Sequence, residues 1–399
     1  MNATKAMTLL AAVAVGLSAQ ALTLAVKDVK IAQRYPWNGL VDIDYTVECD
    51  DKDADVYIYP VGYDADNNQS VALYTFTGEG ANGKAVKAGT HRMTWDMAKD
   101  MGQNYNRAAF SIKLHGYAGA APYLVIDLSS GANAEKYEVS YLNEMPEGGW
   151  TDEYKTTKLV LKLIPPGTFL MGTDQVERDY YYYSNTHGFE DAHWVTLTEP
   201  FYIGVFEITQ KQYAQIAGGT QTSTAGANGL SYDFLRGNTL GGQFPKHMQV
   251  DATSFLGKLR SRTGVTFDLP TEAQWEYACR AGSRESVSPN PNAFGLYGMN
   301  AKPAEWCRDW FNKNATYTAV TNPVGPASGY RGTRSIRGGA YTRTTNKGSM
   351  MLENRSSARV FSDYYDNDND GFKPNRTQGA VYTSENSFGC RLVALPAAK

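Results

Sequence analysis

Few residues in this chain are of a type and spacing that could do chemistry. Cysteine occurs only as Cys49, Cys279, Cys307 and Cys390, at spacings that match no zinc pattern. Asp366-Asn367-Asp368-Asn369-Asp370-Gly371 opens like a calcium loop, with carboxylates at alternate positions and Gly at the sharp turn. Thr377 stands at the twelfth position where such a loop carries a bidentate Glu, so Asp363 or a backbone carbonyl would have to complete the shell. Two readings stay open: calcium held by Asp366, Asp368 and Asp370, or a solvated acidic surface loop. His187 and His193, with Glu190 and Asp191 between them and His247 farther on, can be drawn as a two-histidine, one-carboxylate iron site. Strand and surface histidines are the plainer reading. No Gly-x-Ser-x-Gly elbow, Walker loop or zincin motif is present.

The elements that must carry these residues fall into two domains, which 399 residues can supply. The formal net charge is −3, which leaves no electrostatic footprint for nucleic acid or an anionic membrane. Residues 1–21 read as a signal peptide: Lys5, an apolar run from Met7 to Leu17, then the small-x-small site Ala19-Gln20-Ala21. The expectation is a secreted or periplasmic protein. No later stretch is apolar for long enough to span a membrane. Residues 22–143 read as an all-β sandwich of immunoglobulin-like type. Val41, Ile43, Tyr45, Val47 and Cys49 alternate with Asp42, Asp44, Thr46 and Glu48, the period of a strand with one buried face. Cys49 on that apolar face is expected to be a buried free thiol. Residues 144–157, with Pro146 and Gly148-Gly149, read as a linker.

Residues 158–396 form the second expected domain, mixed α+β and rich in loops. Thr209-Gln210-Lys211-Gln212 and Thr271-Glu272-Ala273-Gln274 are capping boxes, so helices start there and end at Gly218-Gly219 and Gly282. Asp251 is the expected cap of a further helix that runs through Arg262 and stops at Gly264. Trp275, Tyr277 and Trp306 suit a core, and Glu272, Glu276, Arg280 and Glu305 suit a buried ion-pair network that pins loops.

Several segments of this second half resemble the formylglycine-generating enzyme, or sulfatase-modifying factor, family. They are Ile164-Pro165-Pro166-Gly167-Thr168-Phe169-Leu170-Met171-Gly172; Phe201 through Thr209; Leu269-Pro270-Thr271-Glu272-Ala273-Gln274-Trp275-Glu276-Tyr277-Ala278; Gly295-Leu296-Tyr297 through Glu305-Trp306; Arg337-Gly338-Gly339; and Gly389-Cys390-Arg391-Leu392. The resemblance covers about residues 160–395 and implies a C-type-lectin-like fold. It also implies two copper-binding thiols. Laid on the family pattern, those positions fall near Arg343 and Gly348, and no cysteine lies between Arg308 and Gly389. Copper(I) wants soft thiolate ligands, so copper is not expected.

The family's usual calcium sites are not expected either. Ala301-Lys302 stands where the family has Gly-Asn, and the stretch from Gly282 to Gly295 is short. The resemblance further implies a disulfide from the helix carrying Cys279 to the closing strand, where Cys390 is the candidate partner. Cys307 with Cys390, or four buried thiols, are the alternatives. The function expected is a non-catalytic module that binds a glycan or a protein, with Tyr180 to Tyr183, Trp194, Tyr232, Tyr341, Tyr364 and Tyr365 as aromatic platforms. The alternatives are a formylglycine-generating oxidase, or a non-heme iron enzyme with a non-standard site.

Overall fold

The computed structural model describes residues 23–172 and 191–395, except 37, 65–68, 72, 74, 82–83, 102–109, 119–120, 283–287, 289, 302, 313–319, 330–331, 333, 340–342, 346–347, 351–355, 357–359 and 362–387. The expected signal peptide, the calcium candidates Asp366, Asp368 and Asp370, and the residues His187, Glu190 and Lys302 lie outside the described residues. The described chain is mostly β-sheet with few helices.

The first half builds two antiparallel sheets. Strands β1 (Leu24–Gln33), β2 (Leu40–Cys49), β5 (Phe76–Gly78) and β6 (Gly89–Asp96) form one, in the order β1-β2-β6-β5. Strands β3 (Val56–Asp64), β4 (Gln69–Val71) and β7 (Phe110–Ala118) form the other, in the order β4-β3-β7. A short helix, α1 (Met97–Met101), follows β6. The period of two in β2 holds: Val41, Ile43, Tyr45 and Val47 are buried, and meet Ile58, Trp95, Ile112 and Leu114 in one core. Removing that apolar area from water drives the two sheets together. Cys49, by contrast, is only half-buried.

The boundary expected at 144–157 moves. Strands β8 (Tyr123–Asp127) and β9 (Glu138–Leu142), assigned by their pattern to the first domain, hydrogen-bond instead into a sheet of the second. That sheet also holds β10 (Lys158–Ile164), β13 (Phe201–Gly204), β14 (Phe267–Asp268) and β22 (Val393–Ala394), in the order β14-β22-β13-β10-β8-β9. Leu124 pairs with Leu161 and Ile126 with Leu159. The reason is visible in burial: Leu124, Val125 and Ile126 are all covered, so β8 is buried on both faces as only an interior strand is. The expected linker is also built in. Tyr154 is buried, Thr209 Oγ1 donates to the Lys155 carbonyl at 2.6 Å, and Gln212 Nε2 donates to the carbonyls of Tyr154 and Lys158.

The remaining strands frame the second half. Strands β11 (Gly167–Met171), β12 (His193–Leu197) and β16 (Val320–Thr321) form a three-stranded sheet. Strands β15 (Ala304–Trp310), β17 (Arg334–Arg337), β20 (Val360–Phe361) and β21 (Phe388–Gly389) form a four-stranded one, in the order β20-β17-β15-β21. Arg343 and Gly348 sit on a separate hairpin of β18 (Arg343–Thr345) and β19 (Gly348–Met350).

Helices α2 (Gln210–Ala217) and α5 (Glu272–Arg280) start at the two capping boxes, with both reciprocal hydrogen bonds made in each. Helix α2 ends at Gly218, and α5 at Ala281 in the left-handed region, one residue before Gly282. Between them lie α3 (Tyr232–Arg236) and α4 (Phe255–Thr263). Ser254, not Asp251, caps α4, its Oγ accepting from the Gly257 N–H at 3.0 Å. The Asp251 carboxylate is already committed to Thr239, Leu240 and Gly241. Burial opposes its ionisation, but those hydrogen bonds, led by Thr239, hold its pKa down at about 2. No helix among the described residues is long and apolar enough to cross a membrane.

A truncation checks the revised boundary. Residues 144–399 lack β8 and β9, so the partners of Leu124, Ile126 and Leu128 in the second core are left open. That fragment is expected to lose a cooperative thermal transition, whereas residues 120–399 keep one. Cooperative melting of the shorter fragment would restore the boundary at 144–157.

Candidate functional site

The second half holds its loops with buried arginine–carboxylate pairs. Arg391, between β21 and β22, donates from Nε to Glu305 Oε1 and Oε2 at 3.0 and 3.2 Å. Its Nη2 reaches Glu305 Oε1 at 2.9 Å and the Tyr297 carbonyl at 2.8 Å. Its Nη1 donates to the carbonyls of Gly204 and Val205 at 2.9 and 3.1 Å. Trp275 Nε1 donates to Glu305 Oε2 at 2.6 Å. The Glu276 carboxylate takes Arg280 Nε and the Gly172 N–H, both at 2.8 Å, and Arg337 Nη2. Burial opposes ionisation of Glu276, yet Arg280 and Arg337 hold its pKa below the usual carboxylate range. Asp268 takes Arg236, with Arg260 and Arg308 beside it.

The ion-pair network expected of Glu272, Glu276, Arg280 and Glu305 therefore divides. Glu276 and Arg280 meet, Glu305 belongs to Arg391, and the Glu272 N–H donates to Asp309 Oδ2 at 3.0 Å. Arg337, Arg391, Arg236 and Asp268 were missed. Their signal is an arginine or aspartate flanked by apolar neighbours, as Arg391 is by Cys390 and Leu392.

Beside the Arg391–Glu305 pair opens a cavity of about 280 Å³. Phe206, Glu207, Tyr297, Asn290 and Lys155 are among its walls. The chain leaves β13 at Gly204 and passes Phe206 and Glu207 before the capping box at Thr209, so a strand end and a helix cap fix both side chains. The rings of Phe206 and Tyr297 lie 5.0 Å apart, and Lys155 Nζ sits 4.8 Å above the Phe206 ring. Gly226 is required there: a Cβ would lie 2.4 Å from Glu207 Oε2 and 2.5 Å from Pro303.

Glu207 is the anomaly of this site. Its Oε1 is fully buried and has no hydrogen-bond partner among the described residues. Arg391 is near, but its donors are spent on Glu305 and three carbonyls. Burial, reinforced by repulsion from Glu305 and only partly offset by Arg391, raises the Glu207 pKa well above the usual carboxylate range. A carboxyl so placed resists ionisation, and in its protonated form it can donate as well as accept.

The other candidates do not assemble. All four cysteines are free. Cys279 and Cys390 lie in different core clusters, so the disulfide implied by the resemblance is not formed. Cys279 lies 3.4 Å from Ser356 Oγ, and burial pushes its thiol up to about 11. Burial likewise raises Cys307 and Cys390. Thiols of this kind are poor nucleophiles and poor metal ligands. With no cysteine from 309 to 389, a copper(I) site does not fit the residues present. His193 Nδ1 lies 2.9 Å from the Asp191 carbonyl. Among the described residues no three His, Cys, Asp or Glu side chains group as metal ligands. Tyr232, expected as a platform, is buried and donates to the Arg308 carbonyl. Trp194 is half-buried on β12.

Residues 151–290 match the family model of the sulfatase-modifying factor enzyme 1-like domain. A formylglycine-generating enzyme of Mus musculus is 28% identical over 112 residues, covering 18% of this chain and 30% of that protein. The formylglycine-generating enzyme of Streptomyces coelicolor is 30% identical over 115 residues, covering 18% and 35%. A serine/threonine-protein kinase, pkn1, of Chlamydia pneumoniae is 31% identical over 122 residues, covering 25% and 20%. The chain thus spans about a third or less of the length of these relatives. Among solved structures, PvdO from Pseudomonas aeruginosa aligns with 59% of this chain and 94% of its own, at a TM-score of 0.36 and 19% identity.

Two substitutions test the site. Below the ordinary glutamate pKa of about 4.3 both folded and unfolded chains hold the Glu207 proton. As pH rises past that value the unfolded chain ionises freely and the folded one resists, so stability is lost until the raised pKa is passed. Glu207→Gln is therefore expected to melt increasingly above wild type between pH 4.5 and 8, with no such gain at pH 4. A constant difference across that range would contradict the raised pKa. Glu276→Ala leaves Arg280 and Arg337 buried without their carboxylate and is expected to cost about 3–5 kcal/mol by denaturant unfolding.

Proposed function

We propose, from the match of residues 151–290 to the sulfatase-modifying factor enzyme 1-like family model, a non-catalytic, exported binding protein built on that scaffold. One observation carries the reading: no cysteine lies between Arg308 and Gly389, where the family keeps its two copper-binding thiols. The thiols that do exist in the second half are buried and held protonated, which supports the same conclusion. What persists is what a binding scaffold needs, a rigid core carrying irregular loops. The ligand is a glycan or a protein. Export is part of the proposal, supported by the signal-like pattern of the segment Met1 to Ala21. Calcium, where bound, would be held by Asp366, Asp368 and Asp370.

The test is direct. Purified protein is incubated with copper, oxygen and a peptide carrying a sulfatase-type cysteine, and the aldehyde is sought by mass spectrometry. No conversion above a protein-free control is expected. Turnover would overturn the non-catalytic reading and favour an oxidase with a non-standard site.

A further inference from the structure

We propose that the cavity at Glu207 is a binding site for one neutral sugar residue, the hydroxyls of which satisfy the Glu207 carboxyl while its ring packs against Phe206 and Tyr297. The inference rests on the binding-module reading and specifies where the ligand sits and what class it belongs to.

Three observations select that ligand. First, a buried carboxyl oxygen with no partner costs free energy unless something supplies a hydrogen bond, and Glu207 Oε1 is such an atom. Second, the surroundings disfavour a charged ligand of either sign. Lys155 Nζ over the Phe206 ring repels a cationic ligand, while the burial and the Glu305 charge that oppose ionisation of Glu207 oppose any other anion placed beside it. A neutral ligand meets neither penalty. Third, the walls combine a tilted aromatic pair with short-range polar groups, Asn290 and Lys155 beside Glu207. Aromatic faces take the apolar face of a ring, and the polar groups fix its orientation. A hydroxyl both donates and accepts, so it serves the carboxyl whether or not that group holds its proton. The cavity, about 280 Å³, has room for a single pyranose ring. Gly226 keeps the space beside Oε2 clear, a Cβ there falling 2.4 Å from it.

The full chain is titrated by ligand-observed NMR and calorimetry with glucose, galactose, mannose and N-acetylglucosamine, and with glucosamine and glucuronate as charged controls. At least one neutral sugar is expected to bind, and the charged sugars more weakly. Ala301→Trp places a ring at an exposed position of the cavity wall and is expected to weaken binding about 10-fold or more. Thr224→Trp, also exposed on that wall, repeats the block should the first variant melt abnormally. Glu207→Ala is expected to weaken binding about 10-fold, and Glu207→Gln, which still donates and accepts, by about 3-fold at most. Sugar binding untouched by either tryptophan would overturn this inference while leaving the binding-module reading in place. Preference for glucosamine or glucuronate, or no binding by any neutral sugar, would also overturn it. Conversion of the cysteine peptide would overturn the underlying reading instead, so the two failures are separable.

Discussion

The Arg391–Glu305 pair is the contact on which the second half of the chain depends. A loop-rich domain leaves many backbone carbonyls without a ladder partner, and each must find a donor. A guanidinium offers five N–H groups in a fixed fork. Arg391 divides them between the Glu305 carboxylate and the carbonyls of Gly204, Val205 and Tyr297, and so ties the end of β13, the loop at Tyr297, strand β15 and the closing segment to one point. Arg337 and Arg280 do the same around Glu276, and Arg236 around Asp268. Such buried pairs add less stability than their attraction suggests, because each ion is stripped of water. Their contribution here is geometric: they place loops that apolar packing alone would leave in several arrangements.

The same commitment leaves Glu207 without a partner. Were one N–H of Arg391 free, the carboxyl would be neutralised and the cavity beside it sealed by a satisfied ion pair. Instead the Arg391 donors are spent on Glu305 and three carbonyls, and Glu207 Oε1 is left without a partner among the described residues, on a side chain that lines the cavity with Phe206 and Tyr297. The thiols describe the opposite case. Cys279, Cys307 and Cys390 are wrapped in the core clusters that surround the ion pairs, and burial holds them in the protonated form. The thiolate pair that copper(I) would require is not found between Arg308 and Gly389.

Much of the fold was legible because the signals were local. The capping boxes at Thr209 and Thr271 involve residues three apart, and the alternation in β2 needs only one strand. Errors arose where a distant partner decided. Strand β8 looked like one more sandwich strand, and only its three consecutive buried residues mark it as interior, Leu124 and Ile126 sharing a core cluster with the helical residues Ile216, Leu256 and Leu259 and Val125 sharing another with Tyr154 and Val205. Asp251 looked like a cap until Thr239, Leu240 and Gly241 competed for its oxygens. The cavity was invisible in sequence for the same reason. Lys155, Glu207 and Tyr297 are far apart in the chain, and although Glu207 and Tyr297 lie in segments that carry the family resemblance, nothing in those segments says that they meet.

Everything proposed for the cavity depends on the state of one carboxyl, which can be observed directly. Side-chain carboxyl 13C NMR, with Glu207 assigned by comparison with Glu207→Gln, would follow its titration in the folded protein. A midpoint well above the ordinary glutamate value of about 4.3 is predicted, shifting when a neutral sugar is added. A midpoint at or below that value would mean that Glu207 has found a partner, and would contradict the site as described.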